Sequence, residues 1–253
     1  DYYIAGYETE SLAHIEENYS ERVVLIPGLG MRSPYPTYER KYPAKKDNTF
    51  IISCPWTFVK INYYHLLTLK EILQGTNKQI KFRFFSGLFS NCVFSTFKKD
   101  LAVIFGEENF EVFPIKSSEA YIQLLEETDL MLNSYHYGGY NVIIDAMYLG
   151  KPVVTMEGTK AYNRMAGVLL RKHDLSELVA KDKTEYIHKV IELITNDNFR
   201  DSIIKKINKI NTKKDFFDVE EVKYFKKAID YLVNNHEYLK AQNTKKPIII
   251  EES

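Results

Sequence analysis

The sequence contains little cysteine and no segment that marks export or membrane insertion. Cys54 and Cys92 are the two cysteines in 253 residues, and neither belongs to a CxxC pair or to a cluster with metal-ligand spacing. This scarcity favours free thiols in a reducing compartment, with a single disulfide as the alternative. We find no signal peptide and no apolar run of transmembrane length, so we predict a cytoplasmic protein without a transmembrane segment.

An excess of charge of one sign is lacking too. Lys+Arg and Asp+Glu each number 34, so the net charge is zero. This balance argues against nucleic acid or an anionic membrane as the main partner. The motifs GxSxG, HExxH and the P-loop are also absent. Two acidic pairs, Glu126-Glu127 and Glu220-Glu221, point apart on predicted helices, which predicts solvent-facing surfaces rather than catalytic carboxylates.

What the sequence does contain is an alternation of apolar β-branched runs with helical segments. This pattern is typical of βαβ crossovers and predicts an α/β fold with a doubly wound, Rossmann-like parallel sheet. Beyond Gly158 the pattern is wholly helical, and it ends in a long helix, Val219–Leu239, and a charged tail. The predicted strands of the sheet are Thr49–Cys54, Ile80–Phe85, Phe110–Phe113, Leu130–Asn133 and Pro152–Met156.

The stretch from Thr128 to Gly158 has the features of an anion-binding site. A buried strand is followed by a glycine turn and then by a helix predicted over Asn141–Leu149, with Asn141 as the N-cap candidate. The two turn glycines allow a close approach of the backbone, and the unpaired N–H groups of the first helical turn attract negative charge. Asp145 would repel a phosphate, so it is expected to bind sugar or ribose hydroxyls or to organise the loop.

The same stretch carries a family resemblance. GGYNVIIDAMYLGKPVVTMEG resembles the donor-binding domain of the O-GlcNAc-transferase-like glycosyltransferases, and more closely that of the bacterial adhesin N-glycosyltransferases, whose loop reads roughly FGNTNGIID. The first Asn and the Thr of that loop are Gly139 and Tyr140 in this sequence, so contacts through those two side chains do not carry over. The matching positions are Asn141, Asp145, Gly150, Pro152 and Gly158.

The resemblance implies a fold and an activity. The fold is the C-terminal, donor-binding half of a GT-B glycosyltransferase with a helical C-terminal extension. Residues 1–47 would be the exit from a missing N-terminal half plus a linker, residues 48–215 the donor-binding domain, and residues 216–253 the C-terminal helix and tail. The reaction would transfer a hexose or N-acetylhexosamine from a UDP-sugar to Asn or Ser/Thr side chains of a protein or peptide. It is inverting and needs no metal or other cofactor.

Lys60 is the residue that the resemblance assigns to catalysis. Lys60-Ile61-Asn62 matches the family's K-I-D/N-P pattern, with Tyr63 in place of the proline, and the family's lysine contacts the donor phosphates. A cation at this point neutralises the departing diphosphate without a metal. The alternative interpretation is a solvated surface lysine, which is the fate of most basic residues.

The remaining donor contacts follow from the same resemblance. Main-chain N–H groups of Asn141 and Val142 would hold phosphate oxygens, in a loop that also includes Gly138, Gly139 and Tyr140. Ile115 and Lys116 match positions whose backbone cradles the nucleotide base, and Tyr121 matches the side chain that packs against it. The alternative for Tyr121 is an ordinary half-buried helix tyrosine. His136, two residues before the turn, is expected to be structural rather than a base.

Two other functions remain open. A non-catalytic nucleotide-sugar-binding or scaffold subunit of a glycosyltransferase complex is favoured by the altered GGY loop, while Lys60, Asn141 and Asp145 argue against it. A weaker alternative is another GT-B enzyme, such as a nucleotide-sugar epimerase or a glycan-building transferase. In the family the acceptor site lies in the N-terminal half, so we expect this chain alone to bind nucleotide and to depend on that half, or on a partner subunit, for transfer.

Overall fold

The computed structural model describes residues 1–34, 36, 38–44, 47–86, 91–114, 117–217 and 221–252. The chain forms two compact units. One comprises Asp1–Tyr35, Thr159–Arg164 and Asn211–Ser253, and the other comprises Pro36–Gly158 and Met165–Ile210. The predicted boundaries at residues 47 and 215 separate parts of the chain by their place in a larger enzyme. A division into compact units does not test such boundaries, so they stay predictions.

The strands of the described chain are β1 to β9 in sequence order. Their bounds are Tyr2–Gly6, Arg22–Ile26, Phe50–Cys54, Ile80–Ser86, Phe110–Pro114, Leu130–Leu132, Val153–Met156, Val179–Ala180 and Ile248–Ile249. The α-helices, α1 to α10, are Ile15–Asn18, Tyr63–Gln74, Asn91–Phe105, Ser118–Glu126, Tyr140–Leu149, Ala161–Lys172, Lys183–Thr195, Asp197–Ile207, Glu221–Asn234 and His236–Ala241.

The larger unit contains the predicted doubly wound sheet. Its strands, as far as the structure describes them, are all parallel and lie in the order β5-β4-β3-β6-β7-β8. The chain therefore winds outward from β3 in one direction and from β6 in the other, which confirms the predicted fold class. Parallel strands covered on both faces are largely apolar. Ile52, Phe82 and Leu130 are fully buried.

The topology identifies one edge of this sheet as the place where a ligand is expected to bind. The chain reverses its direction of winding between β3 and β6, and a crevice forms outside the carboxyl ends of two such strands. The segment after β3 contains a short 3-10 turn, Phe58–Lys60, and the segment after β6 contains the glycine turn. Lys60 and Gly138 therefore lie at the same edge of the sheet.

The ends of the helices beside this edge follow local sequence signals. Asn62 caps α2 by accepting a hydrogen bond from the N–H of His65, and Ser117 caps α4 by accepting one from Ala120. The carboxyl end of α5 is closed by Gly150, whose φ of 69° is the left-handed conformation that glycine adopts without strain. This cap explains the glycine in the family motif.

The prediction that the chain is wholly helical beyond Gly158 is wrong. Val179–Ala180 forms β8, which pairs with β7. A two-residue strand is too short to show a period of two, so its sequence gave no signal. The predicted long helix Val219–Leu239 is, within the described residues, two helices, α9 and α10, separated at Asn235.

The smaller unit is built on parallel strands in the order β1-β2-β9. Its β9 lies in the charged tail. One face of the sheet packs Val24 and Ile26 against Ala228 and Leu232 of α9. The other face packs Val23 and Leu25 against Ile15 of α1. None of the helices that the structure describes is long and apolar enough to cross a membrane.

Glu126 contradicts the prediction of a solvent-facing acidic pair. Its side chain, at the end of α4, is 2% exposed. The carboxylate accepts hydrogen bonds from the Tyr38 hydroxyl at 2.7 Å and from the N–H groups of Lys41 and Tyr42 at 3.0 Å. The segment that precedes β3 is therefore anchored to α4 through a buried carboxylate.

Candidate functional site

Lys60 meets the glycine turn directly. Its ammonium Nζ donates to the carbonyl oxygen of Gly138 at 3.1 Å and lies 4.8 Å from the centre of the Tyr137 ring. Burial lowers the pKa of Lys60 from its ordinary value. Among the described residues no carboxylate is ion-paired with Lys60, so its charge is opposed only by a carbonyl dipole and an aromatic face. Such a cation can still bind an anion strongly.

The glycine turn is held in place by Asn133, which directly follows β6. Its Oδ1 accepts a hydrogen bond from Gly139 N–H at 2.8 Å, and its Nδ2 donates to Thr155 Oγ1 on β7 at 3.1 Å. The Tyr186 hydroxyl donates to the carbonyl oxygen of Asn133 at 3.2 Å. Asn133 is fully buried, so these bonds fix the turn rigidly. Sequence reasoning missed this residue, although an asparagine between a strand and a glycine turn is a usable signal.

The helix after the turn begins one residue earlier than predicted. Gly139 is the N-cap of α5, so Asn141 occupies the second helical position and is not the cap. A Cβ atom on Gly139 would lie 3.1 Å from Asn133 Oδ1 and 3.0 Å from Val142 Cγ2, which is a tight fit for any other residue. Because a glycine supplies no capping side chain, the N–H groups of Asn141 and Val142 have no helical acceptor and remain donors for an anion.

Asp145 and Tyr121 are the second part of the predicted site. Burial raises the pKa of Asp145 from 3.8 to about 7. Burial also raises the pKa of the half-buried Tyr121, and the negative charge of Asp145 adds to the shift. The Tyr121 ring meets Phe85 edge to face, with 5.2 Å between the ring centres.

The structure thus brings most of the predicted site together. Lys60 contacts Gly138, the turn leads through Gly139 into the first turn of α5, and Asp145 lies one turn further along the same helix. Ile115 and Lys116 lie outside the described residues, so their predicted contact with the base stays a prediction. In the part of the chain that the structure describes, no group of three or more His, Cys, Asp or Glu side chains could hold a metal ion.

Known proteins similar to this chain give these residues their context. Residues 107–227 match the family described as Glycosyl transferase family 41. This match covers a little under half of the chain and shows that this part is similar to that family. Over 145 residues it is 26% identical to the UDP-glucose:protein N-beta-glucosyltransferase of Actinobacillus pleuropneumoniae, an alignment that covers 57% of this chain and 23% of the relative. Over 100 residues it is 27% identical to the probable UDP-N-acetylglucosamine–peptide N-acetylglucosaminyltransferase SPINDLY of Hordeum vulgare, covering 40% of this chain and 11% of the relative.

Solved structures agree on the fold of the chain. An O-GlcNAc transferase of Thermobaculum terrenum superposes with a TM-score of 0.71 at 22% identity, over 83% of this chain and 40% of that chain. HepE of Anabaena, in complex with UDP-glucose, superposes with a TM-score of 0.51 at 18% identity, over 74% of this chain and 49% of that chain. At these identities the likeness establishes a GT-B type fold. The chain spans less than a quarter of the length of the curated relatives it matches.

The raised pKa of Asp145 leads to a stability prediction. A folded-state pKa of about 7, above the starting value of 3.8, means that the folded protein holds this proton more tightly than the unfolded chain. Wild-type stability therefore falls as pH rises from about 4 through about 7. Asp145→Asn should be more stable than wild type above about pH 7, with little difference near pH 4, and should bind nucleotide more weakly. Urea unfolding across this range measures the first effect.

The exposed Asp201→Asn on α8 serves as the matched control for the Asp145 variant, because it makes the same substitution on a solvent-facing helix surface. Its stability should stay within about 0.5 kcal/mol of wild type, as expected for a surface substitution. A difference between Asp145→Asn and wild type that is equal at both ends of the range would contradict the prediction. It would mean that folding does not shift the pKa of Asp145.

Proposed function

We propose that this chain is the donor-binding half of a protein glycosyltransferase that uses a UDP-hexose or UDP-N-acetylhexosamine. The observation that carries the proposal is the 3.1 Å contact between Lys60 Nζ and Gly138 O. It joins the cation after β3 to the turn before α5, at the switch point where open parallel sheets bind ligands. The family 41 match supports a glycosyltransferase, and the names of the curated relatives support a UDP-sugar donor and a protein acceptor.

The mechanism we propose relies on stabilising the leaving group. When the bond between the sugar and UDP breaks, negative charge accumulates on the terminal phosphate. Lys60 and the N–H groups of Asn141 and Val142 present positive charge to that phosphate, and the half-buried setting of Lys60 strengthens the attraction. These groups supply the neutralisation that a metal supplies in other transferases, so we propose a metal-independent, inverting transfer.

The nucleoside would be held further along the same edge. We assign the ribose hydroxyls to Asp145, whose carboxylate is a good acceptor for two neighbouring hydroxyl donors. We assign the uracil to the Tyr121 ring and to the main chain of Ile115 and Lys116. A ribose bound to Asp145 would favour its ionised form, which offsets part of the cost of burying the charge.

The proposal is tested by titration calorimetry of UDP and of uridine into this chain in the presence of EDTA. UDP should bind at least about tenfold more tightly than uridine, because only UDP reaches Lys60 and the α5 N-terminus. EDTA should leave both affinities unchanged. Equal affinities for the two ligands would overturn the diphosphate site, and loss of UDP binding in EDTA would overturn metal independence.

Transfer itself needs an acceptor site, which we place outside this chain. We therefore propose that the chain binds UDP but transfers little or no sugar to a peptide carrying Asn, Ser or Thr. Normal turnover by this chain would contradict that statement. The acceptor, whether Asn or Ser/Thr, and a cytoplasmic setting stay proposals, the latter supported by the buried free thiol of Cys54.

A second function is favoured by one specific feature. Gly139 and Tyr140 stand where the related loop has Asn and Thr, so two side chains that could contact the donor are missing. A non-catalytic nucleotide-sugar-binding subunit of a glycosyltransferase complex would tolerate this loss. Product analysis separates the two: joined to the N-terminal half, an active donor half glycosylates a peptide, whereas a scaffold subunit binds UDP without any product.

A further inference from the structure

We propose that His65 is a positioning residue that fixes Lys60 for contact with the donor diphosphate. This inference rests on the proposed function, since it concerns how the same site is held in shape. His65 lies in the first turn of α2, just beyond the turn that carries Lys60, and its side chain is fully buried. Its Nδ1 lies 3.1 Å from the main-chain carbonyl oxygen of Lys60.

The direction of this hydrogen bond follows from its partner. A carbonyl oxygen can only accept, so Nδ1 of His65 carries the proton and donates it. Burial, together with the nearby His136, lowers the pKa of His65 to about 4, so the ring is neutral at physiological pH. Nε2 is then an unprotonated acceptor, and it is buried without a hydrogen-bond partner in the described structure. Among the described residues, the ring's one hydrogen-bond partner is the carbonyl oxygen of Lys60.

His65 also packs between the two segments that meet at the site. On the β3 side its ring centre lies 5.2 Å from the Trp56 ring. On the β6 side it meets the Tyr135 ring at 3.8 Å and stacks on the His136 ring at 5.2 Å, with an interplanar angle of 20°. Trp56 Nε1 also donates to Leu132 O at 2.7 Å, which ties the two sides together beneath the ring.

This arrangement fits positioning better than simple core packing. An apolar side chain such as leucine would fill a site among aromatic rings without leaving a nitrogen unpaired. A buried acceptor without a partner destabilises the fold. The imidazole adds one hydrogen bond, which its Nδ1–H donates to the backbone of Lys60. The ammonium of the same lysine contacts Gly138. The ring therefore fixes both the backbone of Lys60 and the distance between that backbone and the glycine turn.

The test compares two substitutions that separate the ring nitrogens. In His65→Asn the amide nitrogen takes the place of Nδ1, whereas in His65→Gln it reaches towards the position of Nε2. We expect His65→Asn to bind UDP within about twofold of wild type. His65→Gln and His65→Leu should bind UDP roughly five- to tenfold more weakly, as expected for loss of one neutral hydrogen bond.

The affinity for uridine separates positioning from a purely structural role, because a variant that disturbs the fold would weaken uridine binding as well. It should be equal in all variants, because Lys60 acts on phosphates alone. His188→Gln, on the exposed face of α7, is the control and should match wild type for both ligands. Equal weakening by Asn and Gln, or a parallel loss of uridine binding, overturns the role of His65 while the donor site stands. A wild-type chain that does not distinguish UDP from uridine overturns the proposed function and this inference together.

Discussion

Lys60→Ala is expected to weaken UDP binding by a factor of about 10 to 150 and to leave uridine binding unchanged. The factor corresponds to the roughly 1.5–3 kcal/mol that a hydrogen bond to a charged group contributes. Lys60 is half-buried and no described carboxylate is ion-paired with it, so its attraction for a diphosphate is only weakly screened. Titration calorimetry of both ligands into wild type and variant measures the change.

Two controls separate this effect from a change in net charge. Lys205→Ala removes one positive charge from an exposed position on α8 and should leave UDP affinity within about twofold. Lys60→Arg keeps the charge but changes its shape and reach, so it should recover part of the affinity. If Lys60→Ala bound UDP as tightly as wild type, Lys60 would be an ordinary surface lysine and the site would have to be placed elsewhere.

The effect of Lys60→Ala on transfer should exceed its effect on binding. Charge on the phosphate grows as the bond to the sugar breaks, so an interaction with that charge is stronger in the transition state than in the bound donor. In the protein that contains the acceptor half, we expect kcat to fall by about 100-fold or more, as when one oxyanion donor is removed. A fall in kcat no larger than the fall in UDP affinity would mean that Lys60 binds the donor without assisting its cleavage.

The sequence was sufficient to predict the sheet and the outline of the site. Runs such as Thr49–Cys54 are long, apolar and β-branched, and each became a strand within a residue or two of its predicted bounds. Because the carboxyl ends of parallel strands share one edge, the segments after β3 and β6 had to lie at that edge. The family motif then selected Lys60 and the glycine turn within those segments.

The parts that sequence reasoning missed are those that depend on tertiary contacts. Asn133 and His65 are polar residues in apolar surroundings, and their roles appear only when β7 and the segment after β6 lie beside them. The position of the α5 N-cap depends on a hydrogen bond between Asn133 and Gly139, which local propensity does not specify. Short elements such as β8 exist because a neighbouring strand offers an edge, not because their own two residues specify a strand.

Glu126 is the clearest case of a misread residue, and its replacement carries the largest stability effect we expect. Glu126→Ala should lower the free energy of unfolding by about 3–5 kcal/mol. The change leaves three donors without their acceptor: the Tyr38 hydroxyl and the N–H groups of Lys41 and Tyr42. Tyr38 is 3% exposed, so water does not readily replace the carboxylate.

Glu119→Ala on the same helix is the matched control for Glu126→Ala. Glu119 is exposed, and its carboxylate lies 3.5 Å from Lys41 Nζ in a surface ion pair. Its removal should cost less than about 1 kcal/mol. Both variants remove a glutamate from α4 and a contact to Lys41, so urea unfolding of the pair at neutral pH isolates the effect of burial. Equal losses would show that Glu126 is hydrated in solution.

The pH dependence of the Glu126 effect can be argued from its surroundings. Burial raises the pKa of Glu126, but the N–H groups of Lys41 and Tyr42, the Tyr38 hydroxyl and the charge of Arg40 outweigh it and hold the pKa below its ordinary value. The carboxylate therefore stabilises the fold fully above the unfolded pKa of about 4.3, and the stabilisation is lost as pH falls through the lower folded value. Glu126→Gln, which is neutral at every pH, should approach wild-type stability under acidic conditions and fall behind it at neutral pH. A gap that stays constant across this range would mean that the carboxylate contributes through its shape and not through its charge.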